Sequence, residues 1–144
     1  MESSGEREHN GVILVVEDAE AIRKMVCSML TQSGYHCLEA SDGEAALRLF
    51  EHAPASVDLV LTDVIMPKMG GLELARRLAD LRPGLRVVFM SGYSADPIVS
   101  SIERSPSIFL AKPFTASALM EKVRETLHQP WPGLPQANIG AGDQ

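Results

Sequence analysis

The sequence predicts a single α/β domain with a parallel five-stranded sheet and helices on both faces. Five short β-rich runs alternate with segments of helical period, in repeats of about 20 residues. Three of the runs are almost continuously apolar, as expected for parallel strands that are buried on both faces. The length of 144 residues suits one domain of this kind. Right-handed crossovers leave few topologies, and the doubly wound, flavodoxin-like strand order 2-1-3-4-5 is the common solution for five strands.

The strands and the first helix follow directly from the apolar pattern. The predicted strands are VILVV (12–16), HCLEA (36–40), VDLVLT (57–62), RVVFM (86–90) and SIFLA (107–111). Apolar side chains spaced three and four residues apart run from Ile22 to Leu30 and predict an amphipathic helix. Gly34 follows at a position where helices commonly end.

Shorter apolar stripes predict the other four helices, and a proline marks one end of each. They cover 46–53, stopped by Pro54; 74–81, stopped by Pro83; a short helix that starts at Pro97; and 119–127, stopped by Pro130.

Both ends of the chain are expected to lie outside the folded domain. Residues 1–10 are polar and charged, and residues 130–144 contain three prolines and three glycines. This proline and glycine content is typical of disordered sequence. We therefore expect a domain over 11–129 between two disordered segments. The fifteen residues after position 129 are too few for a DNA-binding or enzymatic output domain.

The composition argues against two classes of partner. A net charge of −6 leaves too little positive charge for a nucleic-acid surface. No apolar run approaches the ~20 residues that span a bilayer, so no membrane contact is expected. Cys27 and Cys37 lack the spacing of a metal site or a CxxC motif, so they are interpreted as free thiols in a reducing cytoplasm.

Polar residues follow four of the five predicted strands, at the edge where open α/β sheets bind ligands. They are Glu17-Asp18 after the first strand, Asp63 after the third, Ser91-Gly92 after the fourth and Lys112-Pro113 after the fifth. The second strand lies on the outer side of the switch point and is not expected to contribute. Three converging acids raise one another's pKa values unless a cation lies among them. Oxygen ligands in small number favour Mg²⁺.

A metal, a lysine and a hydroxyl together form a receptacle for a phosphoryl group. Asp63 is the best candidate for a nucleophile that forms an aspartyl phosphate, because its strand is central. Each residue by itself also has a purely structural explanation. Asp18 is a good helix N-cap, Asp63 suits a turn, and Lys112 suits a solvated loop. Their joint occurrence at four strand ends is what indicates a site.

Four motifs make the chain resemble the receiver domain of two-component response regulators, over essentially all of 11–129. The motifs are VVED (15–18), TDVIMPKMGG (62–71), MSGY (90–93) and FLAKPF (109–114). The MSGY and TDVIMP segments are most similar to those of receivers in hybrid sensor histidine kinases. The resemblance implies a stand-alone response regulator or the receiver segment of a hybrid kinase. It implies no enzyme activity beyond the domain's own phosphorylation and dephosphorylation, and it leaves open whether a parent protein carries a kinase.

The resemblance also implies a role for each acid of the site. Asp63 would accept a phosphoryl group from a phosphohistidine on a sensor histidine kinase or a histidine phosphotransfer protein. Asp18 and Asp63 would bind Mg²⁺ directly, Glu17 would bind it through a water, and the backbone carbonyl of Ile65 would be a further ligand.

The remaining roles concern the phosphoryl group and the switch. Ser91 and Lys112 would each contact a phosphoryl oxygen, and the peptide before Pro113 is cis in the family. Phe109 would be the switch aromatic, in place of the usual tyrosine. Ile65 and Tyr93 occupy positions that tune dephosphorylation, and both are poor at orienting water, so a long-lived phosphorylated state is predicted.

The resemblance places the output surface on the fourth helix, fifth strand and fifth helix, where a downstream protein would bind. Candidate residues there are Ile98, Ile102, Leu119 and Met120. Two other functions stay open at this point: a receiver-like scaffold that binds partners without phosphorylation, and a phosphatase with an aspartyl nucleophile. Such phosphatases usually carry a second acid two residues after the nucleophile, where this chain has Ile65.

Overall fold

The structure is a computed structural model that describes residues 10–52, 56–92, 96–105 and 108–135. Five strands alternate with five helices. The strands are β1 (Val12–Val16), β2 (His36–Ala40), β3 (Leu59–Asp63), β4 (Arg86–Ser91) and β5 (Phe109–Ala111). The helices are α1 (Glu20–Gln32), α2 (Gly43–His52), α3 (Gly71–Leu81), α4 (Pro97–Glu103) and α5 (Ala116–His128).

The strands form one parallel sheet in the order β2-β1-β3-β4-β5, which confirms the predicted fold and topology. All five residues of the central strand β3 are buried. This strand extends through Asp63, which pairs with Met90, whereas the sequence predicted that it would end at Thr62. Similarly, Ser91 belongs to β4 and pairs with Ala111.

Helices cover both faces of the sheet, because successive side chains of each strand point to opposite faces. Leu14 and Val16 of β1 face a core shared with α2, α3 and α4. Ile13 and Val15 face a second core shared with α1 and α5. The two-layer burial holds the strand ends in fixed register at one edge of the sheet.

Helix α1 ends at Gln32, and Gly34 follows at the position just past the C-cap residue Ser33, as the sequence predicts. This glycine has a φ of +94°, a conformation in which a Cβ would be strained. Its N–H donates to Thr31 O at 3.1 Å, and the N–H of Tyr35 donates to Leu30 O at 3.0 Å. These two bonds form a Schellman motif that satisfies the last carbonyls of the helix.

The prediction of two free thiols is wrong. Cys27 on α1 and Cys37 on β2 are joined in a disulfide, with Cα atoms 5.8 Å apart. The two cysteines lie ten positions apart in sequence, and their spacing matches no motif. The packing of α1 on β2 brings them together, which no pattern in the sequence indicates.

The terminal segments are described in part. Asn10 donates its N–H to Gly34 O at 2.6 Å, and residues 1–9 lie outside the described part of the chain. After α5, Trp131 and Leu134 are half-buried and pack against the core that contains α2, α3 and α4. Residues 136–144 also lie outside the description, so the disorder predicted for the two ends stays a prediction.

In the described ranges, no helix has the length and apolar character needed to cross a membrane.

Candidate functional site

The register of the sheet brings the predicted site residues to one edge. Val16 of β1 pairs with Thr62 of β3, so the residues that follow, Glu17 and Asp63, lie side by side. One strand further, Ser91 ends β4 next to β5, and its carbonyl accepts the N–H of Lys112 at 2.8 Å. All of these side chains therefore lie at the carboxyl edge of the sheet.

Three carboxylates form the floor of the site. Glu17, Asp18 and Asp63 each offer an oxygen, and these atoms lie within 4.8 Å of one another. Glu17 and Asp63 are buried, whereas Asp18 is exposed. Two oxygens bound to one Mg²⁺ at about 2.1 Å lie at most about 4.2 Å apart. The three oxygens are therefore close enough together to surround one small cation, directly or through a water.

Lys112 supplies the positive charge of the site. Its Nζ lies 2.8 Å from Glu17 Oε1 and 3.5 Å from Asp63 Oδ2. Three ionised carboxylates and one ammonium carry a net charge of −2, which a divalent cation would neutralise. The residues present therefore fit Mg²⁺ both in donor type and in charge.

Asp63 lies in an environment that opposes its ionisation. Burial, and then the charge of Glu17, raise the pKa of Asp63 to about 6, while Lys112 and the backbone N–H of Val64 act in the opposite direction. That N–H donates to Asp63 Oδ1 at 3.0 Å, which leaves Oδ2 directed toward Lys112. A cation bound among the three acids would favour the charged form.

The turn after β1 holds Glu17 through several bonds. Glu17 Oε2 accepts the N–H of Ala19 at 3.2 Å, and the main-chain carbonyl of Glu17 accepts from Arg23 Nη1 at 2.9 Å. The N-cap of α1 is Ala19, so Asp18 does not cap the helix. The structural explanation of Asp18 as an N-cap is therefore wrong, and its side chain remains available to the site.

The residues predicted to contact a phosphoryl group or to switch lie around this cluster. Ser91 is buried, and its Oγ donates to Gly92 O at 3.1 Å. Phe109 is half-buried, and the Lys112–Pro113 peptide is cis, as the family resemblance implies. The side chain of Ile65 is 47% exposed beside the acids. Tyr93 lies outside the described residues.

An apolar groove opens next to the site. Its lining residues are Ile22, Met25, Gly92, Lys112, Pro113 and Phe114. Met25 is 46% exposed, one of the most exposed large apolar side chains in the described part of the molecule. Because Lys112 belongs to both the groove and the acid cluster, a protein bound in the groove would reach the site.

The predicted output surface is less apolar than the sequence indicated. Ile102 and Leu119 are fully buried, so they are core residues and the expectation that they contribute to this surface is wrong. Each packs beneath its own helix, in one of the two cores. Ile98 is half-buried and remains a candidate for partner contact. Met120 is also half-buried, but it packs on the core of α1 and α5 and lines a cavity with Ser33 and Tyr35 near the end of α1, so its place on the output surface is not supported.

Two residues with close contacts to the site were missed from the sequence. Arg23 holds the Glu17 carbonyl, and a single arginine on a helix surface carries no signal of this role. Gly71 packs so closely that a Cβ there would lie 2.1 Å from Asp63 O. The paired glycines 70 and 71 were the available signal, because close backbone approach is a common reason for glycine.

Comparisons with known proteins identify similar sequences and folds. A model of the response regulator receiver domain matches residues 13–124. Sensor kinase CckA of Brucella abortus (strain 2308) is 35% identical over 121 residues, which are 83% of this chain and 13% of that protein. The response regulator receiver protein CpdR of the same organism is 33% identical over 117 residues, which are 80% of this chain and 95% of that protein.

Solved structures show the same likeness. A response regulator receiver domain protein from Clostridium thermocellum matches with a TM-score of 0.72 and 28% identity, over 81% of this chain and 94% of that one. The receiver domain of the hybrid histidine kinase CckA matches with a TM-score of 0.69 and 35% identity, over 82% of this chain and 100% of that one.

Proposed function

Because the chain belongs to the response regulator receiver domain family, we propose that Asp63 is its phosphoacceptor and that Glu17, Asp18 and Asp63 hold Mg²⁺. The observation that carries the proposal is the convergence of three carboxylates and the Lys112 ammonium at one edge of the sheet. A central buried carboxylate beside an ammonium would, with Mg²⁺ held by the neighbouring acids, be suited to nucleophilic attack on a phosphoryl group.

The reaction transfers one phosphoryl group between two side chains. Asp63 Oδ2 attacks the phosphorus of a phosphohistidine, a P–O bond forms, the P–N bond breaks, and its electron pair returns to the imidazole nitrogen. Bound Mg²⁺ would neutralise charge on the acids and on the phosphoryl oxygens.

Lys112 and Ser91 would stabilise the transferred group. The Lys112 ammonium, already 3.5 Å from Asp63 Oδ2, would pair with one phosphoryl oxygen. Ser91 would turn its hydroxyl from Gly92 O toward another. The backbone carbonyl of Ile65 would complete the metal ligands. Phe109 would then occupy space that Ser91 vacates, and this movement would change the surface formed by α4, β5 and α5.

The partners follow from this reaction. The phosphoryl donor would be a sensor histidine kinase or a histidine phosphotransfer protein docked over the apolar groove that contains Met25 and Phe114. A downstream protein that binds the surface of α4, β5 and α5 near Ile98 would receive the signal.

The wider context of the domain also belongs to the proposal. The chain spans 13% of the CckA kinase and 95% of CpdR, so both a hybrid kinase and a stand-alone regulator are models for the whole protein. We propose the domain limits 11–129, with Trp131 and Leu134 packed on the core after the last helix, and a cytoplasmic location, where a disulfide such as Cys27–Cys37 is rare.

Phosphorylation by a small donor tests the proposal. The protein is incubated with Mg²⁺ and acetyl phosphate, and intact mass is measured alongside Asp63→Asn and the control Asp80→Asn, an exposed acid on α3. We expect one added phosphoryl group on the wild type and on Asp80→Asn, none on Asp63→Asn, and none when EDTA replaces Mg²⁺.

The alternatives give different results in the same assay. A scaffold that does not use phosphorylation would gain no mass from acetyl phosphate and would not bind beryllofluoride. A phosphatase would hydrolyse small phosphoesters over many turnovers, which Ile65 in place of a second acid argues against. Either result would contradict the proposal.

A second experiment separates docking from chemistry. Met25→Glu should slow transfer from a phosphorylated histidine phosphotransfer protein while leaving phosphorylation by acetyl phosphate unchanged. Leu81→Glu is the matched control, because Leu81 is similarly exposed (50%) but lies at the end of α3 that is remote from the site. Equal transfer rates for the two variants would place the donor elsewhere.

A further inference from the structure

One arginine joins the acidic turn after β1 to the neighbouring helix and strand. Arg23 lies near the start of α1, and its side chain is only 13% exposed. Its Nη1 donates to the main-chain carbonyl of Glu17 at 2.9 Å, and its Nε donates to Glu39 Oε1 on β2 at 3.0 Å. The planar guanidinium makes both bonds from one rigid group, so it links three elements at once.

The turn carries more negative charge than the one nearby ammonium, Lys112, compensates. Glu17 and Asp18 are adjacent, and each offers an oxygen within 4.8 Å of one from Asp63. The carboxylate charges that Lys112 leaves uncompensated repel one another unless a divalent cation lies among them. The described structure contains no side-chain hydrogen bond that caps α1 at Ala19, so the usual fastening of a turn to a helix is missing.

The other bonds of Glu17 hold its N–H and its carboxylate, and Arg23 is the group that orients its main-chain carbonyl. The N–H of Glu17 donates to Ala40 O at 3.1 Å, which holds the start of the turn on β2. Its carboxylate contacts Lys112 and the N–H of Ala19. The bond from Arg23 fixes the remaining peptide, the one that joins Glu17 to Asp18, and therefore the direction in which the exposed Asp18 carboxylate leaves the turn.

We propose that Arg23 is a positioning residue that holds the peptide between Glu17 and Asp18, and thereby sets the affinity of the site for Mg²⁺. The inference rests on the proposed function of the acid cluster as a metal site. Residues that orient metal ligands from behind commonly change metal affinity by about 10–100-fold when they are replaced.

The positive charge of Arg23 and its positioning role would change the Mg²⁺ affinity in opposite directions, so the two effects can be separated. A guanidinium near the acids repels a cation, and its removal by itself would tighten Mg²⁺ binding. Loss of positioning would weaken binding instead. The sign of the change in Mg²⁺ affinity therefore decides between them.

The experiment is a titration of the full chain with MgCl₂, followed by calorimetry or by amide NMR shifts. The variants are Arg23→Met, Arg23→Lys and the control Lys24→Met. Lys24 also pairs with Glu39, at 3.2 Å, but its side chain is 59% exposed. Lys24→Met therefore removes the same charge from the same ion-pair cluster.

We expect the Mg²⁺ Kd of Arg23→Met to rise about tenfold, that of Arg23→Lys to fall between Arg23→Met and the wild type, and that of Lys24→Met to stay within twofold. In saturating Mg²⁺, Arg23→Met should regain the wild-type rate of phosphorylation by acetyl phosphate. A Kd for Arg23→Met that is unchanged or tighter would overturn the inference. If Arg23→Met does not fold, a Kd of Arg23→Lys equal to that of Lys24→Met would overturn it.

An Asp18→Asn variant keeps this inference distinct from the proposed function. If Asp18→Asn binds Mg²⁺ as well as the wild type, the metal site itself is refuted. If Asp18→Asn loses binding while Arg23→Met retains it, the metal site stands and only the role of Arg23 is refuted.

Discussion

Lys112 lies closer to Glu17 than to Asp63. Its Nζ is 2.8 Å from Glu17 Oε1 and 3.5 Å from Asp63 Oδ2. Glu17 is buried, so the ammonium chiefly compensates a carboxylate that has little water around it. The pKa of Asp63 is accordingly raised to about 6, by burial and by the charge of Glu17. A phosphoryl group on Asp63 would have to compete with Glu17 for this ammonium.

A double-mutant cycle tests the pairing of Lys112 with Glu17. Lys112→Met should lower the free energy of unfolding by about 1–3 kcal/mol, because it leaves a buried carboxylate without its partner. Adding Glu17→Gln should recover part of that loss, since the unpaired charge is then gone. Urea unfolding at pH 7.5 in EDTA measures both effects. Strictly additive losses would show that the two groups do not interact.

The raised pKa of Asp63 predicts a pH-dependent effect of Asp63→Asn. An acid whose folded-state pKa lies above its unfolded value contributes stability below the unfolded pKa and loses it as pH rises through the folded value. As the pH rises from 3.8 to about 6, the wild type therefore loses stability, whereas the Asp63→Asn variant does not.

In EDTA, Asp63→Asn should exceed the wild type by about 2–3 kcal/mol at pH 7.5. The two proteins should converge as the pH approaches 4, and Mg²⁺ should reduce the difference at pH 7.5 by stabilising the wild type. Thermal and urea unfolding across this pH range provide the measurement. If Asp63→Asn were more stable than the wild type by the same amount at pH 4 and at pH 7.5, the raised pKa of Asp63 would be contradicted.

The close approach of Gly71 to Asp63 predicts a large effect of one added methyl group. A Cβ at position 71 would lie 2.1 Å from Asp63 O, so the start of α3 or the end of β3 must move. Gly71→Ala should cost about 3 kcal/mol of stability, at the upper end for overpacking, and should slow phosphorylation. Gly92→Ala is the control for stability alone, because a Cβ there would meet no described atom within 4 Å.

The exposed side chain of Ile65 bears on the lifetime of the phosphorylated state. An apolar group cannot orient an attacking water by hydrogen bonding, whereas an amide can. Ile65→Asn should therefore accelerate loss of the phosphoryl group several-fold, measured by intact mass after removal of the donor. Leu81→Asn, a substitution at a residue of similar exposure, should have no effect. Rapid loss from the wild type would contradict the long lifetime that Ile65 predicts.

The disulfide predicts a redox-dependent stability. Linking Cys27 to Cys37 closes a short loop between α1 and β2, and such links typically contribute about 2–4 kcal/mol. Under non-reducing conditions, the intact mass should be lower than that of the dithiol by two hydrogen atoms. Cys27→Ser with Cys37→Ser should lower the Tm only when reductant is absent. Equal Tm values without reductant would show that the bond contributes nothing.

The sheet and the identity of the site residues were predictable from residue patterns. Apolar runs and helical stripes are local, and parallel crossovers permit few arrangements, so the strand order followed. Acids, a hydroxyl and a lysine directly at the strand ends then had to meet at one edge. The places of Glu17, Asp63 and Lys112 directly after their strands therefore predicted that these residues lie close together.

Distances between elements were not predictable in the same way. The disulfide and the bonds of Arg23 to Glu17 and Glu39 depend on how α1 lies against β2, which is set by the packing of a whole core. The burial of Ile102 and Leu119 depends in the same way on helix rotation, so an apolar stripe could not show which of its residues face solvent.

Local patterning alone therefore indicated a five-stranded parallel α/β fold with an acidic edge, because periodicity and strand-end chemistry are properties of neighbouring residues. Packing decided that Lys112 favours Glu17 over Asp63, that Arg23 supports the acidic turn, and that two cysteines meet. Those relationships depend on tenths of an ångström between elements distant in sequence, and only the closely packed interior determines them.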